Sequence, residues 1–210
     1  MIGPDKNCPR CPRLVAYREE NRALHPAWYN GPVNSFGRLD AKLLVLGLAP
    51  GVKGANRTGR PFTGDYAGRL LYPTLIEFGF ATGKFTGSCD DSVKLINCRI
   101  ANAVRCVPPK NKPIGSEIRA CSRFLEQEIG SMSNLKVILA LGTIAHNSVL
   151  GALQLRRSAW KFSHNARHDF GIGLVLIDSY HCSRYNTNTG RLTEDMFKDV
   201  FRTIRRLIPN

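Results

Sequence analysis

Short runs of Leu, Ile and Val alternate along this chain with stretches whose apolar residues recur every three or four positions. Four such runs, 42–48, 94–104, 136–141 and 173–179, predict strands. Few polar residues interrupt them, as expected of strands covered on both faces of a parallel sheet. Between and after them, 66–78 carries Leu70, Leu71, Leu75 and Phe78 at helical spacing, and 116–129 carries Ile118, Cys121, Leu125 and Ile129. A last helix is predicted over 193–207. Thr193 is its cap, Glu194 and Asp195 occupy its first turn, Met196, Phe197, Val200, Phe201, Ile204 and Leu207 form its stripe, and Pro209 follows it. This alternation predicts an α/β fold with one parallel sheet of about four strands and helices on both faces. Segments 23–38 and 155–170 show no period and read as long, irregular excursions. The length, 210 residues, suits one compact domain.

In sheets of this kind ligands bind beyond the carboxyl ends of the strands. Three polar segments, 49–65, 105–113 and 180–191, follow predicted strands directly. The first belongs to the glycine-rich run GLAPGVKGANRTGRPFTGD at 47–65. It lacks the Gly-Lys-Ser/Thr ending of a phosphate-cradling loop and does not read GxGxxG. Its distinctive residues are Phe62, whose ring can stack on a planar ligand, and Asp65, which by itself reads as a helix cap. Asn102 stands near the end of the second strand run. Its amide offers a donor and an acceptor, matching a pyrimidine edge, but Asn also favours strand-end turns. His181 closely follows the last strand and can donate a hydrogen bond to a departing anion; a lone strand-end histidine is more often structural.

Charge narrows the classes of partner. Thirty Lys and Arg stand against 16 acidic residues, a net +14, which points to a polyanion such as nucleic acid; a basic surface kept for solubility would give the same count. No apolar run is long enough to span a bilayer, and the start MIGPDKNCPRCPR has no signal-like segment, so a cytoplasmic protein is expected. Seven cysteines in that compartment suggest metal binding or catalysis rather than disulfides. Cys8 and Cys11 form a C-x-x-C pair, and Cys106 and Cys121 flank the proline-rich VPPKNKP. Together these four can make an S₄ site for zinc or for an iron–sulfur cluster, and spacing does not choose between them. Cys121 also suits the apolar stripe of its helix. Cys89 and Cys98 rank lower, though either could replace Cys106.

Taken together, GLAPG at 47–51, NRTGRPFTGD at 56–65, NAVRCVPPKNKP at 102–113, the His181 segment and the N-terminal CPRCPRLVAYR resemble the uracil-DNA glycosylase superfamily, and within it family 5, the type B enzymes. The resemblance runs in motif order from Cys8 to Thr193. It implies a three-layer α/β/α sandwich and a [4Fe–4S] cluster on Cys8, Cys11, Cys106 and Cys121. It also implies a pocket for a nucleotide flipped out of DNA that contains uracil or another damaged base. Phe62 would stack on that base, Asn102 would read its edge, and the backbone at Ala49 and Pro50 would line the pocket. His181 would stabilise the negative charge on the leaving base. Asp65 would position water or stabilise the sugar cation, because Ala49 stands where several relatives carry Asp or Asn; in the family this goes with tolerance for bases such as hypoxanthine and ethenocytosine. Arg184, Tyr185 and Arg191 lie in a loop suited to press into a DNA groove. Many members read His-Pro-Ser where this chain has His181, Cys182 and Ser183, which frees the backbone and adds an N–H to satisfy. The expected state is a monomer near the nucleoid, without membrane association. Two other classes share parts of this pattern: a catalytically silent iron–sulfur module that binds nucleic acid, and a hydrolase acting on free nucleotides.

Overall fold

The computed structural model describes residues 3–209. Helix α1 (Pro12–Leu24) precedes strand β1 (Leu43–Gly47), the short helix α2 (Ala55–Thr58) and helix α3 (Ala67–Glu77). Strands β2 (Ala81–Thr82), β3 (Lys94–Leu95) and β4 (Cys98–Asn102) follow, then α4 (Gly115–Ser131), β5 (Val137–Leu141) and α5 (Thr143–Ala152). The chain closes with β6 (Arg167–Asp169), β7 (Val175–Ser179), α6 (Arg184–Asn188) and α7 (Glu194–Leu207).

The main sheet runs β4-β1-β5-β7-β6, with four parallel strands and β6 antiparallel at one edge. Every residue of β1, β4, β5 and β7 is buried, which is why these strands read as unbroken apolar runs. Alternate residues face opposite layers. Leu43, Val45, Leu139 and Ile177 pack with Leu71 and Leu75 of α3 and with Phe197, Val200, Phe201 and Ile204 of α7. Leu44, Leu46, Ile138 and Leu176 pack with Leu125 of α4 and with Val149 and Leu150 of α5. The result is the expected three-layer α/β/α sandwich. Each large aliphatic or aromatic side chain buried this way contributes roughly 1.5–3 kcal/mol. Thr193 caps α7 as expected, its hydroxyl accepting from the Met196 N–H at 3.2 Å.

The four expected parallel strands are present, and β6, formed inside the 155–170 excursion, adds an antiparallel fifth at the edge. With three residues and only His168 buried, it is too short to carry a period. The run 94–104, however, is not one strand. Asn97 adopts a left-handed φ of 49°, which separates β3, paired antiparallel with β2, from β4 in the main sheet. Among the described residues no helix is long and apolar enough to cross a membrane.

Candidate active site

β4 and β1 are neighbours and β7 lies beyond β5; all run parallel, so the segments leaving β1, β4 and β7 emerge at the same, carboxyl, end of the sheet. Gly47 ends β1 directly opposite Asn102, the last residue of β4. A Cβ on Gly47 would lie 2.5 Å from Asn102 Oδ1 and 2.6 Å from the Phe62 ring. Only glycine lets those two side chains approach so closely. The glycine-rich segment is anchored by Arg60, which pairs with Asp91 at 2.7 Å, and by the Tyr72 hydroxyl, which donates to Pro61 O at 2.7 Å. With its backbone so fixed, Phe62 holds a left-handed φ of 58° and faces the His181 ring, centroids 6.2 Å apart and planes 25° from parallel.

Ala49, Pro50, Phe62, Asp65, Asn102 and His181 thus line a single pocket of about 270 Å³ of free volume. The pocket is small, on the scale of one planar ring system rather than a whole nucleotide. Gly51, Ala55 and Ala67 complete the wall; lacking functional groups, they gave the sequence no signal. Asn102 is buried at the pocket, and among the described residues no protein group hydrogen-bonds its side-chain amide, which leaves it free for a ligand.

The two ionisable groups are tuned in different directions. Burial lowers the pKa of His181 to about 4, so its imidazole is neutral near pH 7. Burial raises the pKa of Asp65, and the N–H groups of Gly68 and Ala67 at the start of α3 pull it back. The cap position of α3 is Tyr66 and no side chain caps it, so Asp65, one residue earlier, is a pocket wall rather than the helix cap that its position alone suggested. Its Oδ1 is buried with no protein hydrogen-bond partner among the described residues. Such an atom calls for a ligand or a water. A Cβ on Gly54 would come within 2.5 Å of Asp65 Oδ2, so this glycine too is required by close approach.

The His181 segment holds its shape without the proline. Asn186 Nδ2 donates to His181 O at 2.8 Å, and Ser183 caps α6 by accepting from the Asn186 N–H at 3.4 Å. Segment 180–191, expected as a loop, therefore contains a short helix. Cys182 is fully buried beneath it. Arg184 lies over the Tyr66 ring at 5.5 Å, Tyr185 is 72% exposed, and Arg191 lies over Tyr180 at 4.6 Å.

A second cavity, of about 340 Å³, is lined by Cys8, Cys11, Cys106 and Cys121 beside Leu14, Val104 and Phe124. Burial, reinforced by the neighbouring cysteines, pushes the Cys11 thiol up to about 11 and the Cys106 thiol up to about 12. The Arg105 N–H donates to Cys121 Sγ at 3.4 Å. Cys89 is exposed elsewhere, and Cys98 is buried in the core with α3 and α7.

Sequence reasoning did not find a third cluster. Asp178 on β7 accepts from His146 Nδ1 and His168 Nε2, each at 2.8 Å, and His146 Nε2 donates to Trp160 O at 3.0 Å. All three side chains are buried. Burial opposes protonation of His146, but the Asp178 hydrogen bond and charge and the Trp160 carbonyl overcome it and hold the pKa above its usual value. The three residues come from α5, β6 and β7, so no local spacing links them.

Comparison with known proteins agrees with this geometry. Residues 34–205 match the uracil DNA glycosylase superfamily. The chain is 47% identical to a type-5 uracil-DNA glycosylase of Thermus thermophilus, over 95% of this chain and 93% of that protein. It is 38% identical to one of Pyrobaculum aerophilum, over 93% and 87%, and 39% identical to one of Mycobacterium bovis, over 95% and 78%. The chain belongs to the uracil DNA glycosylase superfamily.

Proposed function

We propose that this protein is a type-5 (type B) uracil-DNA glycosylase, which hydrolyses the bond between uracil and deoxyribose in DNA and leaves an abasic site. The observation that carries this reading is the convergence of Phe62, Asn102, His181 and Asp65 on one pocket sized for a single base. Inside a duplex the glycosidic bond is shielded, so the nucleotide must swing out to reach such a pocket. Phe62 stacks on the flipped ring, and the Asn102 amide pairs with its edge. As the bond breaks, negative charge gathers on the base and positive charge on the sugar. A neutral His181 donates a hydrogen bond to the anionic base, and one donor of this kind commonly supplies about 3 kcal/mol of barrier reduction. Asp65, in its ionised form, offers Oδ1 to the attacking water or faces the sugar cation. The methyl of Ala49 supplies no polar contact at the first wall, which supports a pocket that also accepts hypoxanthine and ethenocytosine.

Cys8, Cys11, Cys106 and Cys121 would hold a [4Fe–4S] cluster. The all-sulfur donor set gathered at one cavity supports this assignment. The cluster would tie the N-terminal segment to α4; every step of the reaction belongs to the base pocket. The reading further includes a monomer acting in the cytoplasm at the nucleoid, with Arg184, Tyr185 and Arg191 pressed against the DNA. Tyr185, bare and next to the His181 segment, is the best-placed side chain to enter the space left by the base.

The direct test is incubation with a duplex bearing one uracil, followed by alkali. Strand scission at the uracil position is expected, with hypoxanthine and ethenocytosine duplexes cleaved as well. Intact strands across all three would reject the reading in favour of a non-catalytic nucleic-acid-binding module.

A further inference from the structure

We infer that a groove beside the base pocket, walled by Arg57, Arg69 and Arg184, grips the phosphodiester backbone next to the flipped nucleotide. The inference rests on the glycosylase reading, since it takes the strand that feeds the pocket as its ligand. The groove has about 890 Å³ of free volume, and Asp65 lines both it and the base pocket. A pocket of about 270 Å³ holds a base and leaves sugar and phosphates outside. They must then lie at its margin, where this groove begins.

The chemistry of the wall suits phosphodiesters. Three guanidinium groups reach it from three separate elements, α2, α3 and α6. All three residues are exposed, and among the described residues none forms an ion pair, whereas Arg13, Arg22, Arg38, Arg167 and Arg202 each pair with a carboxylate. The one acid present, Asp65, faces the N–H groups at the start of α3. Guanidinium matches the paired oxygens of a phosphodiester, whose charge is fixed at working pH. Arg184 rests on the Tyr66 ring, which limits its freedom before DNA arrives. The Thr86 side chain adds a neutral donor at the same wall.

The test is the salt dependence of DNA binding, read by fluorescence anisotropy on uracil-containing and undamaged oligonucleotides between 50 and 300 mM KCl, conditions chosen so that counterion release is measurable. Each of Arg57→Gln, Arg69→Gln and Arg184→Gln should weaken binding about 5- to 10-fold at low salt. Each should also reduce the slope of log affinity against log salt by about 0.9 on duplex and about 0.7 on single strands. Arg57→Lys and Arg69→Lys keep the charge and should keep the slope, which a merely structural role would not predict. Lys136→Gln, at the amino end of β5 and so at the opposite end of the sheet, should change neither quantity. Glutamine variants whose slopes equal that of Lys136→Gln would overturn the inference. So would competition by dUMP beyond its ionic-strength effect with slopes unaltered, because the groove would then serve a free nucleotide. Binding is scored apart from excision: a wild-type protein that releases no uracil yet shows these slope changes rejects the glycosylase and keeps the groove, and active enzyme with unchanged slopes does the reverse.

Discussion

Two histidine environments hang on the same strand and end in opposite protonation states. His181 lies two residues beyond the end of β7, in a pocket where burial meets no carboxylate partner, and its pKa falls to about 4. Three residues earlier, on β7, Asp178 holds His146 and His168 at 2.8 Å each. Both nitrogens of His146 face acceptors, a carboxylate and a carbonyl, so the ring satisfies both only as an imidazolium. Burial acts on both groups; what differs is whether a charge is supplied to offset it. The first site is arranged for a neutral donor, ready for charge that appears during reaction, and the second for an imidazolium paired with a buried carboxylate, which holds β6, β7 and α5 together.

The largest effect should follow from breaking the ion pair. Asp178→Ala leaves two imidazoles buried without their shared acceptor, and removing one partner of a buried pair typically costs about 3–5 kcal/mol. For a chain of this size that lowers Tm by roughly 6–20 °C, measurable by calorimetry. An unchanged Tm would mean that the cluster is no ion pair. His181→Ala should instead leave Tm nearly unchanged while kcat for uracil excision drops about 10²- to 10³-fold. Affinity for uracil-containing DNA should change far less, because the hydrogen bond strengthens only in the transition state. A comparable loss in affinity would move His181 from charge stabilisation to ground-state binding.

How much of this could be read from the chain depends on the reach of each signal. The four parallel strands were legible as unbroken apolar runs because both their faces are buried, and α3, α4 and α7 as helical periods because one face of each is. Helices α1 and α5 were not. The only large apolar residue that α1 buries is Leu14, beside Arg18 and Asn21; α5 is short and buries His146 and Ser148 among its apolar residues. Strand β6 is simply too brief. In the pocket, Phe62, Asp65, Asn102 and His181 stood out only as members of a family pattern, since each alone has an ordinary structural explanation. Their meeting at one end of the sheet is a property of topology, which the order of motifs anticipates once the fold is granted. The His146–His168–Asp178 cluster had neither aid: it has no motif, and its members are joined only by the pairing of β6 with β7 and the packing of α5. Of the groove's arginines, Arg184 stood in a segment already expected at DNA, whereas Arg57 and Arg69 look like any surface cation.

The smallest effect is also the sharpest test of the comparison, because the two sites give stability opposite pH slopes. His146 has a raised pKa when folded, so its contribution is complete below the unfolded value of about 6.5 and is lost as pH rises through the folded value. His181 has a depressed pKa, so the unfolded chain binds its proton first, and stability declines from about pH 6.5 down to about 4. Wild-type Tm should therefore be greatest near the middle of this range and decline on both sides. His146→Asn should flatten the alkaline decline and leave the acid one in place. His181→Asn should flatten the acid decline alone, since Asn carries no titrating proton. Measured as Tm between pH 4 and 9, at constant ionic strength and with the two variants run beside wild type, a shared response in both variants would show that the histidines titrate as one coupled set, and the contrast between them would dissolve.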